Sequence, residues 1–321
     1  MKNPQVGNSE KRLIDKAVRR LLSDMKGVEP PLNLADVRSQ LSLDLEYYSS
    51  KDPGFMKEIV HSIKVAGMEM LSTKSMLGKL VDKLGLRGML FWDQNRILID
   101  RDLHHAKYRW AEGHEIGHKL CSWHKYYLLG DSKNELSPTC HAAIEAEANY
   151  ADGQLLFMQD RFVADAMSLP VSMDSLKTLK QRFGNSNAST LWRMVEQYAG
   201  SHPLLGIVSE HPHRLPDDFD HADPCRYVIE SPAFRAMFSN TTESQLFAIL
   251  MGVCSRKSGG PLGISEVELI DDNGHRHEFV FESFCFRYKQ PDRSTGFQVL
   301  TLALHKRKLS RVITVGSIAK R

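Results

Sequence analysis

Ile14, Ala17, Val18, Leu21 and Leu22 recur at the three- and four-residue spacing of a helix face, and Asn33 is placed to cap a short second helix from Leu34 to Leu41. Leu43 to Tyr48 (LDLEYY) alternates instead, as a half-buried strand does. Helical spacing returns between Pro53 and Leu84, broken near Ser72-Thr73. From Gly88 to Asp100 two β-rich runs flank Asp93-Gln94-Asn95, which predicts a hairpin. A helix then runs from Tyr108 to about His124, a polar, loop-like stretch follows from Tyr126 to Pro138, and another helix spans Ala142 to Met158. Arg161 to Met167 continues or restarts it, and Ser172 to Phe183 and Ser189 to Tyr198 read as two more helices joined by Gly184-Asn185-Ser186-Asn187.

Beyond Gly200 the texture becomes β-rich: Gly206 to Val208, Arg226 to Glu230, Ile264 to Ile270, His277 to Tyr288 and Gly296 to His305, with a tight hairpin at Asp272-Asn273-Gly274. Two helical pieces, Pro232 to Phe238 and Glu243 to Val253, interrupt these strands. The pattern predicts an α+β protein with a helix-rich domain over 1–199, carrying a small sheet or hairpin, and an α+β domain over 200–321.

Composition narrows the class. At 321 residues, 42% hydrophobic and 25% charged, the chain is that of an ordinary globular protein. A formal charge of +3 is too slight to argue for nucleic acid or an anionic membrane surface. The helices over 172–198 resemble a helix-turn-helix in pattern, but short helices joined by a polar turn are common, so direct nucleic-acid binding is not expected. Five cysteines lacking any CxxC pair, an N-terminus without the apolar core of a secretory signal, and no span of about 18 apolar residues fit a reducing cytoplasm and no membrane.

The chemistry concentrates in His114-Glu115-Ile116-Gly117-His118. Residues four apart lie on one helix face, so both imidazoles can reach one Zn²⁺, and Glu115 beside it is placed to act as a general base toward water. Catalytic zinc takes three protein ligands and one open position, so a third must come from elsewhere. The next helix offers Glu145 and Glu147, about 200° apart on its circumference, so only one can face the metal. Glu145 is favoured because Asn149, one turn later on the same face, can hydrogen-bond a ligand. Glu147 shows no such neighbour in the sequence.

HEIGH, preceded by Lys107-Tyr108-Arg109-Trp110 and followed by Ile144 to Ala151 (IEAEANYA) and Leu155-Leu156, resembles the ImmA/IrrE family of bacterial metallopeptidases. The resemblance covers Lys11 to about Gln197, although Pro53 to Leu84 is longer than the family pattern and LLFMQD stands where a proline is usual. It implies a zincin-like catalytic domain of gluzincin type, with His114, His118 and Glu145 as ligands of Zn²⁺ and Glu115 as the general base. It also implies a protein substrate, often a helix-turn-helix repressor whose cleavage induces a mobile element or a stress response. A non-proteolytic regulator that binds such a partner around a structural metal is the alternative. Residues 200–321 are expected to sense a signal or grip the substrate.

His141, Tyr150 and Arg109 are the nearby donors that could stabilise an oxyanion, and the sequence does not choose among them. His104-His105, Trp123-His124, His211-Pro212-His213 and the pair His275 and His277 lack a third ligand at metal-binding spacing and are taken as structural, the last two as exposed strand histidines. Lys306 to Arg321 is expected to be a basic edge and tail. The oligomeric state is not legible.

Overall fold

In this computed structural model the described residues are 6–49, 88–103, 107–125, 138–197, 202–289 and 295–311. The predicted helical stretch from Pro53 to Leu84, the loop over 126–137 and His104-His105 lie outside them. By compactness the chain divides into Met1–Asp160 and Arg161–Arg321.

In the first unit, helix α1 (Asn8–Asp24) buries Ile14, Val18 and Leu21, three of the five residues that predicted it. Helix α2 (Leu34–Gln40) starts where Asn33 accepts a hydrogen bond from the Ala35 amide at 3.1 Å, which satisfies one of the donors a helix start leaves unpaired. Three strands follow: β1 (Asp44–Tyr48), β2 (Gly88–Phe91) and β3 (Arg96–Asp100), in the order β1-β3-β2. β1 runs parallel to β3 with Leu45 opposite Ile97, and β2 runs antiparallel to it with Leu90 opposite Ile97. The β2–β3 turn has Asn95 at φ 48, a left-handed conformation that asparagine tolerates better than most residues. Ile97, Leu98 and Ile99 are all buried, as a strand covered on both faces requires.

Helix α3 (Tyr108–Leu120) covers this sheet, and helix α4 (Pro138–Leu156) packs on α3 and α1. α3 is buried nearly all round, from Ala111 through Gly113 to His118. Its partners are α4, strands β2 and β3, and α1 and α2. It ends at Leu120, short of the expected His124, because the chain leaves helical geometry at Cys121 (ψ 77). α4 ends before the expected Met158, since Met158 and Gln159 both take positive φ.

The second unit is a five-stranded antiparallel sheet with helices on both faces. Strands β4 (Leu204–Glu210), β5 (Cys225–Glu230), β6 (Gly260–Ile270), β7 (His275–Lys289) and β8 (Thr295–Arg311) lie in the order β5-β4-β8-β7-β6. One face carries Leu205, Ile207, Phe279, Phe281, Val299 and Ala303 into a core completed by helices α8 (Pro232–Met237) and α9 (Glu243–Val253). Thr242 and Gln245 close a capping box at the start of α9, and Gly274 takes φ 79 in the predicted β6–β7 turn.

Helices α5 (Asp160–Met167), α6 (Met173–Phe183) and α7 (Asn187–Gln197) precede the sheet, and α7 packs on the face opposite that core. Leu191 and Val195 of α7 close on Gly206 of β4, and Glu282 of β7 accepts from the Met173 amide at the start of α6 at 2.9 Å. Sequence texture draws a division at 199/200, whereas compactness places it at 160/161, because these helices bury their apolar sides on the sheet rather than ending with the motif-bearing domain. His277, expected to be exposed, is buried with its Nε2 at 3.1 Å from Asp271 and its Nδ1 at 3.0 Å from His305. Lys306 and Arg307 of the basic edge pair with Glu278, and the tail beyond Arg311 lies outside the described residues. No helix among the described residues is long and apolar enough to cross a membrane.

A Cβ at Gly206 would stand 2.9 Å from the Val195 methyl and 3.1 Å from Leu191. Gly206→Ala is therefore expected to lower stability by about 1–3 kcal/mol, the usual cost of overpacking. The measurement is a shift of the urea midpoint at unchanged slope.

Candidate metal centre

The site begins with a glycine. A Cβ at Gly117 would lie 2.5 Å from the Ala148 carbonyl oxygen, so α3 and α4 approach with backbone against side-chain-free backbone. One turn back along α3 stands His114, one residue ahead stands His118, and Glu145 stands three residues before Ala148 on α4. The close crossing lets short side chains on two helices meet. The hairpin is tied to the same helix through Lys119, which donates to the Asn95 side-chain oxygen at 2.6 Å and lies over the Trp92 ring.

Three donor atoms converge. His114 Nε2 and His118 Nε2 are 3.2 Å apart, and Glu145 reaches them with Oε2 at 3.1 Å and Oε1 at 3.5 Å respectively. Tetrahedral zinc with bonds of 2.0–2.1 Å separates its ligand atoms by about 3.3–3.4 Å, so the donor set fits the ion. The outer nitrogen of His114 is engaged too, Nδ1 donating to Asn149 Oδ1 at 3.1 Å, which turns the Nε2 lone pair inward. Trp110 stacks on the same ring with centroids 5.3 Å apart.

Burial opposes charge on His114, but the hydrogen bond to Glu145 and the carboxylates of Glu115, Glu145 and Asp152 outweigh it and raise its pKa to about 9. Burial likewise works against ionised Glu145, yet hydrogen bonds from His114 and His118 and their charge hold its carboxyl well below the ordinary range. The two shifts are the two sides of one contact, in which the Glu145 carboxylate and the His114 imidazole favour each other's charged form.

Glu115 is not among the three. It is buried, and a Cβ on Gly88 of β2 would meet its Oε1 at 2.7 Å, so its carboxylate lies against the backbone of that strand. Burial raises its carboxyl above the usual value, against the pull of both histidines. Asp152, one turn beyond Asn149 on α4, is also buried, packs against Gly113, and is raised by burial to about 8.

The alternative ligand, Glu147, faces away from the cluster, and the partner missing from its sequence neighbourhood comes from the end of α3. Trp123 Nε1 donates to Glu147 Oε2 at 2.6 Å, and His124 Nε2 lies 3.0 Å from the same oxygen. His124 Nδ1 in turn lies 3.0 Å from His118 Nδ1. Burial holds the His124 imidazole below the ordinary histidine value despite Glu147. Cys121, His124 and Glu147 form a second group of metal-capable side chains beside the first. His124 thus proves to belong to the site's surroundings, which spacing alone did not reveal.

Of the proposed oxyanion donors, Tyr150 donates to Asp15 of α1 at 3.0 Å and Arg109 to the Leu32 carbonyl at 2.7 Å, while the His141 side chain lies outside the described ones. Sequence inspection passed over Tyr48, buried at the end of β1, whose phenol is raised by burial and by the charges of Asp100 and Glu115. His211 and His213 each face a backbone carbonyl, of Lys257 at 2.8 Å and Cys254 at 2.9 Å, as structural histidines do.

A buried HExxH helix crossed closely by a helix that brings a glutamate to both histidines makes a candidate metal centre. In agreement, the IrrE N-terminal-like domain family, Peptidase_M78, matches residues 74–194, and this segment is a domain of that family. No curated protein matches the chain. Among solved structures, a chain described as a Mycobacterium tuberculosis transcriptional regulator is similar at 12% identity and a TM-score of 0.49, over 91% of this chain and 76% of that one.

Gly117→Ala would force the Ala148 backbone to move. It is expected to cost about 1–3 kcal/mol in thermal or urea unfolding. Because it widens the His–Glu spacing, it should also weaken zinc binding in a chelator competition, whereas Gly153→Ala, whose Cβ meets nothing within 4 Å, should leave zinc binding unchanged.

Proposed function

We propose that the chain is a zinc-dependent endopeptidase that hydrolyses one peptide bond in a specific protein, with a DNA-binding repressor of helix-turn-helix type as the substrate class. The observation that carries the catalytic part is the placement of Glu115: buried beside the donor cluster, adjacent to it in chain and space, and not needed to complete the ligand set. A site built only to stabilise the fold has no use for such a group.

His114, His118 and Glu145 would hold the ion, leaving a fourth position open. Zinc bound there supplies Lewis-acid chemistry, acidifying a water and polarising the substrate carbonyl. Glu115 would accept the proton of the attacking water and return it to the leaving amine. Among the described residues β2 is an edge strand, with Gly88 against the Glu115 carboxylate. An extended peptide adding to that edge through main-chain hydrogen bonds would run past the general base. The repressor as substrate rests on the family resemblance alone.

Two variants separate the roles. Glu115→Gln is expected to keep zinc and lower kcat by about 10²–10⁴-fold, the usual worth of a general base, whereas His118→Ala should lose both zinc and cleavage. Co-expression of each with the repressor-like products encoded beside the gene, read as appearance of a fragment on a gel, supplies the assay. Undiminished cleavage by Glu115→Gln would falsify the mechanism, and a stable uncleaved complex formed by the zinc-loaded wild type would replace it with a non-proteolytic regulator.

A further inference from the structure

His118 and His124 face each other through their Nδ1 atoms at 3.0 Å, a contact that holds only if one proton lies between them. Which ring carries it follows from the outer ends. His118 Nε2 stands 3.2 Å from His114 Nε2 and 3.5 Å from Glu145 Oε1, where a ligand must present a lone pair. His118 therefore carries its proton on Nδ1 and donates it, and His124 accepts on Nδ1. The His124 proton then sits on Nε2, 3.0 Å from Glu147 Oε2, an acceptor. Reversing the chain would put the His118 proton on Nε2, leaving no lone pair there for a metal, and would set a bare His124 nitrogen against a carboxylate oxygen at 3.0 Å. Only the first assignment both frees His118 Nε2 to act as a ligand and gives Glu147 Oε2 an N–H to accept.

We infer that His124 and Glu147 are a positioning pair that locks His118 in its metal-binding tautomer and, through the Glu147 carboxylate, strengthens it as a donor. This rests on His118 being a ligand of the proposed zinc site. The fold is shaped for the pair. Had α3 continued past Cys121, His124 would sit about 240° around the helix from His118; the break at Cys121, closed by a 2.8 Å bond from the His124 amide to the Cys121 carbonyl, folds it back. The His124 side chain is fully buried and that of Glu147 is 14% exposed, so water cannot take over either partner's place. Trp123 donates to the same carboxylate oxygen at 2.6 Å. Asn149 does the equivalent for His114 with a neutral amide. The two histidines are thus held by partners of different charge.

The test is a zinc titration of the full chain against a competing chelator, with thermal unfolding as a fold check. His124→Leu and Glu147→Ala are each expected to weaken zinc about 10–100-fold, the usual effect of removing a partner behind a metal-bound histidine. The double variant should be little worse than His124→Leu, because both act through one hydrogen-bond chain. His124→Gln, which keeps an acceptor, should recover much of the loss, and the isosteric Glu147→Gln should show an intermediate loss with the melting temperature retained. In ¹⁵N-imidazole spectra of the zinc-loaded wild type, His118 should show a hydrogen-bonded Nδ1–H that His124→Leu removes.

Zinc affinity within twofold of wild type in both His124→Leu and Glu147→Ala overturns the pair while leaving the zinc site standing. A second zinc equivalent in wild type that Cys121→Ala abolishes also overturns it, making Cys121, His124 and Glu147 a metal site of their own. A folded wild type that takes up no zinc overturns the underlying site.

Discussion

Everything at the candidate site depends on the closeness of two helix backbones. Side chains of histidine and glutamate are short, and three of them can share one ion only if the helices that carry them nearly touch. Gly117 against the Ala148 carbonyl sets that distance, and Gly113, one turn earlier, leaves room for the Asp152 carboxyl. The sheet fixes the other side of α3: Gly88 leaves room for the Glu115 carboxylate, and Lys119 bonds the β2–β3 turn. At Gly117 the neighbour is backbone, so a side chain there would push the helices apart, whereas at Gly88 and Gly113 it would displace a buried carboxyl.

Burial has a second consequence. α3 places two imidazoles and a carboxylate where water cannot solvate them, so each needs a partner. Asn149 and His124 serve the two histidines, and Glu147 and Trp123 serve His124. The raised His114 and the lowered Glu145 express the same demand in charge. Hydrogen bonds answer it from outside the cluster.

The second unit solves a different problem. Its long strands β7 and β8 form the middle of a sheet that buries aromatic residues against α8 and α9 and uses its other face for α7. The division seen in sequence at 199/200 marks a true change from helical to β texture. It does not mark where packing separates, because an amphipathic helix shows its period in sequence but not the surface it will cover.

Local rules were therefore legible and meetings between distant segments were not. The Asn33 cap, the Asn95 turn, the Gly274 turn, the strands of both sheets and the His114–Glu115–His118 face follow from spacing and residue type, since a period of 3.6 or 2 is written along the chain. The preference for Glu145 over Glu147 was legible through Asn149 for the same reason, as all three share one helix. His124 was not, because its role comes from a break at Cys121 and a carboxylate 23 positions away. His277 was misjudged as exposed for a like reason, its partners Asp271 and His305 being joined only by a turn and a strand pairing. The sequence by itself determined the His114–Glu115–His118 face and the glutamate that shares a face with Asn149; only the tertiary structure brought Glu145 to the two histidines and Glu147 to Trp123 and His124, because those meetings depend on where separate helices cross.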